Sequence, residues 1–218
     1  MKEKIYIVIS ILVLIYLLNE LEIYENTFYK EIYTIYNPTE IDVIVNKNNK
    51  LDKNYVPYDL EEINTNYSYN NKRLRKEARI QFEKMSMNAK NEGFNVIAVS
   101  AYRDYNYQEK LYNNYVLEKG KWYADRCSAR PGHSEHQTGL AVDVSDFTGD
   151  YDNFEKTKEF IWMKKNSYKY GFILRYPKAM YHITGFKYEP WHYRYVGVEL
   201  ATYLYKNELT LEEYKSNN

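Results

Sequence analysis

The chain has 218 residues, enough for one ordinary domain plus a short extra segment, which excludes a multi-domain assembly. With 44% hydrophobic and 17% aromatic residues it has ample material for a packed core, so its composition is not that of a disordered protein. Its 30 basic and 30 acidic side chains cancel, which removes nucleic acid as an expected partner, and a single cysteine, Cys127, excludes an intramolecular disulfide and any cysteine-rich zinc module.

Lys2 and Lys4 precede an uncharged apolar run from Ile5 to Leu18, the layout of a positive region followed by a hydrophobic export segment. The run is shorter than the roughly 20 residues a helix needs to cross a bilayer. Asn19, Glu20, Leu21 and Glu22 nevertheless offer no small-residue cleavage site. Residues 1–18 are therefore expected to form a hydrophobic helix that anchors the chain in the cell membrane in a single pass; the alternative is a cleaved signal peptide and a secreted protein. Lysines on the N-terminal side keep the start inside and the rest outside. Residues 19–45, with the turn signal Asn37-Pro38, read as a juxtamembrane stalk able to lend a short strand, residues 46–212 as the main domain, and 213–218 as a tail.

Within the domain, Leu74, Ala78, Phe82, Met85 and Ala89 recur every three or four residues, which predicts an amphipathic helix over 71–91 stopped by Gly93. Phe94 to Ser100 is apolar and partly β-branched and predicts a buried strand delivering Ala101, Tyr102 and Arg103 at its end. A second helix is expected over 107–117. Leu140 to Val144 alternates, with Leu140, Val142 and Val144 on one face and Asp143 on the other. A helix capped by Asp152 or Asn153 is expected to reach Tyr170 and close at Gly171, and strands are expected over 172–176 and 192–196. The sum is an α+β fold with a small central antiparallel sheet flanked by helices.

The chain has four histidines, and two stand in strand-like segments beside carboxylates. In Ser134-Glu135-His136-Gln137-Thr138-Gly139-Leu140-Ala141-Val142-Asp143, His136 precedes the strand, Gly139 allows a tight turn, and Asp143 projects opposite the apolar face. In Glu189-Pro190-Trp191-His192, the proline fixes the backbone and the tryptophan can anchor it. Two histidines and one carboxylate are a common donor set for catalytic zinc, which leaves a fourth position for water, and Glu189 is then the candidate general base. An aspartate aimed inward from a strand needs a partner, and the metal would be one. His133 follows Pro131-Gly132, which opposes a helix aligning it with His136, and His182 has no carboxylate nearby; neither is taken as a donor. Cys127 reads as a passive small side chain with no base placed for it.

Three stretches carry a family likeness: SAYRDYNYQ (100–108), the S-x-H-x-x-G-x-A-x-D pattern of 134–143, and EPWHYRYVG (189–197). In this order they resemble the zinc D-Ala-D-Ala carboxypeptidases of the VanY type, and the likeness runs from about Val45 to about Tyr205. The resemblance implies one zinc ion per chain held by His136, Asp143 and His192, with Glu189 as acid and base. It also implies that Arg103 binds substrate oxygens and stabilises the anionic transition state, with Gln108, Ser134 and Tyr176 as further substrate contacts. The sequence does not separate an oxyanion from a terminal carboxylate as the Arg103 partner. The implied activity is removal of the terminal D-alanine from peptidoglycan stem peptides. An L,D-carboxypeptidase, a cell-wall endopeptidase and a non-catalytic wall-binding module are the alternatives.

Overall fold

A computed structural model describes residues 6–7, 9–14 and 28–216. The first described stretch of the main body lends a two-residue strand, β1 (Tyr33–Thr34), which pairs in parallel with β2 (Asn49–Lys50). Strand β3 (Leu60–Glu62) pairs antiparallel with β4 (Arg73–Arg75), and helix α1 (Lys76–Asn91) follows at once. This corrects the helix expected from residue 71. Leu74 is buried from a strand, because cross-strand pairing with Glu61 overrides the local helical period.

Strand β5 (Ile97–Ser100) leads to α2 (Tyr105–Lys119), whose first turn is capped by Asp104, Oδ1 accepting from the Tyr107 N–H at 2.7 Å. Gly120, at φ 81°, separates α2 from the unforeseen helix α3 (Lys121–Cys127). After β6 (Ala141–Ser145) the long helix expected over 152–170 is broken into three. Residues 154–156 and 167–170 are 3₁₀ turns, and α4 (Lys158–Asn166) lies between them, capped by Thr157 rather than by Asp152 or Asn153. Strand β7 (Phe172–Leu174), the short helix α5 (Tyr181–Thr184), β8 (His192–Tyr195), α6 (Val198–Asn207) and α7 (Leu211–Ser216) complete the order.

The central sheet runs β5-β6-β8-β7 with every pair antiparallel. All five residues of β6 are buried. Leu140, Val142 and Val144 pack with Phe82 and Met85 of α1, Met163 of α4 and Tyr193 of β8 in one core. The opposite face of β6 is thereby left for polar side chains held in the interior.

Two expected boundaries differ. Within 28–45, the stretch 39–45 is built into the domain: Val43 and Val45 are buried with Leu51, and the backbone carbonyls of Ile41 and Val43 both accept from Arg194 at 2.8 Å. The tail is helical to Ser216, because Thr210 and Glu213 cap each other reciprocally. The expected hydrophobic helix over 1–18 lies largely outside the described residues, among which no helix is long and apolar enough to cross a membrane.

Candidate active site

His136 sits on a 3₁₀ turn, 135–138, which Ser134 caps by accepting from the His136 N–H at 3.4 Å. Gly139 ends the turn at φ 67°, where a β-carbon would meet Leu60 Cδ2 at 2.7 Å and Arg75 Cγ at 3.1 Å. The His136 ring is fixed by Nδ1, which donates to the Ala101 carbonyl at 2.6 Å. That assignment leaves a lone pair on Nε2, a buried atom with no hydrogen bond, 3.2 Å from Asp143 Oδ2.

Asp143 and His192 are direct cross-strand partners on β6 and β8. Directly paired residues share a face of the sheet, and His192 Nδ1 stands 3.0 Å from Asp143 Oδ1. The two imidazole rings lie 5.0 Å apart at 78°. One donor atom from each of His136, Asp143 and His192 lies within 4.8 Å of the others. Glu189, one turn of chain before His192, brings Oε2 to 3.9 Å from His192 Nδ1 without joining that group.

Electrostatics divides the four groups. Burial, reinforced by Arg103, lowers the His136 pKa to about 4, so its imidazole is neutral and able to donate a lone pair. Burial opposes ionisation of Asp143, but the facing imidazoles of His136 and His192 outweigh it and hold the carboxyl well below its usual range. Burial also opposes a charge on His192, yet Asp143 and Glu135 outweigh it and raise its pKa to about 9, so a cation binding there displaces a proton. Glu189 goes the other way: burial pushes it up to about 7.

These side chains form one wall of a cavity of about 430 Å3, and all eight residues singled out in the sequence line it. Arg103 places NH2 3.5 Å from Asp143 Oδ2 and keeps a buried Nε without a hydrogen bond. Gln108 donates from Nε2 to the Ala129 carbonyl at 2.8 Å and to Ser128 Oγ at 3.3 Å, while its buried Oε1 has no partner. The Tyr176 ring packs 4.8 Å from the His192 ring. His133 belongs elsewhere, with Nδ1 bonded to the Asn46 carbonyl at 2.9 Å, and His182 is likewise outside the group. Cys127 lines the cavity, and burial raises its thiol pKa, as suits a passive side chain.

Sequence reasoning missed Glu135. It is wholly buried, with Oε1 accepting from Arg175 Nε and Arg194 NH1, each at 2.8 Å. Those arginines lie 40 and 59 residues further on, so only its position inside the His136 motif hinted at it.

The residues fit a divalent ion: a buried nitrogen lacks a hydrogen-bond partner, the three donors converge, and all three line an open cavity. Structural zinc is normally closed by four protein donors, often cysteines, so this chain carries the centre of a mononuclear metallohydrolase.

Residues 71–198 match the family model described as VanY: D-alanyl-D-alanine carboxypeptidase. A putative carboxypeptidase of Bacillus subtilis, YodJ, is 44% identical over 188 residues, covering 83% of this chain and 69% of that protein. The solved structure of the LdcB LD-carboxypeptidase superposes with a TM-score of 0.80 at 43% identity, covering 85% of this chain and 90% of the other. A mutant of the vancomycin-resistance D,D-pentapeptidase VanY, in complex with Zn(II), superposes with a TM-score of 0.69 at 35% identity over 80% and 98% of the two chains. The chain belongs to the VanY D-alanyl-D-alanine carboxypeptidase family and is a zinc-dependent carboxypeptidase.

Proposed function

We propose that the enzyme releases a C-terminal D-alanine from the stem peptides of peptidoglycan, with His136, Asp143 and His192 as the zinc donors and Glu189 as the proton-transferring group. The observation that carries this reading is the placement of Glu189: buried, raised to about 7 and beside the donors without being one of them. When bound, zinc polarises the scissile carbonyl and lowers the pKa of water toward about 7. Glu189 then takes the proton of the attacking water and returns it to the departing amine, the task for which a carboxyl titrating near neutrality is suited. Arg103 contributes permanently charged donors from beside Asp143, with Nε open to an anionic oxygen of the substrate. The free Gln108 Oε1 accepts a substrate N–H, while Ser134 and Tyr176 shape the wall around it.

A second reading, L,D-carboxypeptidase action on tetrapeptide stems, is favoured by the extent of the likeness to LdcB. Incubating purified enzyme with pentapeptide and tetrapeptide muropeptides, followed by mass spectrometry, separates the two. Loss of one alanine from the pentapeptide supports the first reading, loss from the tetrapeptide supports the second, and no release from either removes both. Glu189→Gln is expected to retain zinc while kcat falls about 10²–10⁴-fold; turnover near the parent's would remove Glu189 from the role. Lys2, Lys4 and the apolar run after them support placing the catalytic domain on the outer side of the cell membrane, where its substrate polymer lies.

A further inference from the structure

The proposed reaction leaves one ionised group at the centre without a task. Glu135 Oε1 is occupied by two guanidinium donors, Arg175 Nε and Arg194 NH1, both at 2.8 Å. Its second oxygen, Oε2, is buried and makes no hydrogen bond. It faces His192 Nε2, itself buried and without a hydrogen bond, at 3.5 Å. The other nitrogen of the same ring, Nδ1, lies toward the cavity, 3.0 Å from Asp143 Oδ1 and 3.9 Å from Glu189 Oε2. An imidazole gives a lone pair to a metal only through the nitrogen that carries no proton, and the partner of the opposite nitrogen decides which one that is. A carboxylate accepts hydrogen bonds and donates none.

We propose that Glu135 is a positioning residue for the metal centre: its Oε2 keeps the His192 proton on Nε2 and so presents Nδ1 to zinc. This rests on the reading of His192 as a donor. The arginines make the arrangement directional, because they take up one oxygen of Glu135 and leave the other for the histidine. Arg175 is tethered in turn by Glu212 of α7, with NH1 at 2.7 Å from Oε2 and NH2 at 2.5 Å from Oε1.

Glu135→Gln tests the proposal sharply. Guanidinium groups only donate, so the amide oxygen of the substituted side chain stays with them and its NH2 turns toward His192 Nε2. That nitrogen must then accept, the proton moves to Nδ1, and the zinc donor is lost. Zinc affinity of the metal-free full chain, measured by competition with a chromophoric chelator, is expected to weaken by about 10- to 100-fold, with an altered Co2+ absorption spectrum. Glu212→Gln loosens Arg175 alone and leaves Arg194, held by the Ile41 and Val43 carbonyls, on Glu135 Oε1, so that Oε2 still faces His192; it is expected to lower Tm and leave zinc affinity within about threefold of the parent. An E135Q chain with the parent's affinity and Co2+ spectrum overturns the proposal. If E135Q does not fold, nitrogen-15 NMR of the zinc-loaded parent decides: a proton on His192 Nε2 supports the proposal, and one on Nδ1 overturns it. A parent that binds no zinc overturns the donor assignment and this inference together; a parent and an E135Q variant that bind it equally overturn this inference alone.

Discussion

A carboxyl buried beside a second carboxylate is hard to ionise, and Glu189 is placed that way behind Asp143. Without metal its pKa is pushed from 4.5 up to about 7, chiefly by burial. A bound dication favours the ionised form and draws the value back down. A general base works only when deprotonated, so with Glu189 in the proposed role activity is present above this pKa and lost as pH falls through it. The acid limb of kcat/KM is therefore expected between about 4.5 and 7, and the residual activity of Glu189→Gln should lack that limb. A pH–rate profile on a defined muropeptide measures both; a limb below 4.5 would show that burial is not what tunes the group. The grouping of His136, Asp143 and His192 with Glu189 beside them was legible in the sequence, because the residue types and their short local motifs mark them as candidates. Glu135 was not, because it is a surface-type residue until Arg175 and Arg194 arrive from distant parts of the chain.

At the scale of elements, strand alternation was readable where one face of the sheet meets the core and the other meets the site, as in Leu140 to Val144. The start of α1 was not readable, since pairing of Arg73–Arg75 with Leu60–Glu62 is a non-local competitor that no local period reveals. Gly139 joins the two cases. The Arg75 N–H bonds to its carbonyl at 2.8 Å, so the turn bearing His136 is fastened to β4, and its β-carbon space is taken by Leu60 and Arg75. Gly93 has a similar φ of 86°, but a β-carbon added there would meet nothing within 4 Å. Both alanine substitutions therefore incur the cost of a positive φ, about 1 kcal/mol or more, and only Gly139→Ala adds a collision. Differential scanning calorimetry is expected to show a larger Tm loss for G139A than for G93A, with zinc affinity reduced in G139A alone. Equal losses would mean that the turn adapts without moving His136.

At the scale of the whole molecule, residues 39–45 are the outer end of a chain of contacts that reaches the metal centre. The carbonyls of Ile41 and Val43 hold Arg194 NH2, Arg194 NH1 holds Glu135, and Glu135 faces His192. The sequence reading of a stalk missed this because backbone carbonyls do the binding and leave no trace in residue type. Hydrogen bonds to charged groups are worth about 1.5–3 kcal/mol each, and two would be lost from a fully buried guanidinium if the chain began at residue 46. Val43 and Val45 would lose their burial as well, about 1.5 kcal/mol or more apiece. Against a typical stability of about 5–15 kcal/mol this is a large fraction. A chain starting at residue 46 is thus expected to melt far below one starting at residue 28, or to be insoluble, and any folded fraction should bind zinc more weakly because Arg194 no longer steadies Glu135. Thermal melts and chelator competition on the two chains check this. Equal Tm and equal zinc affinity would mean that Arg194 finds other acceptors and that the metal centre is independent of the segment in front of it.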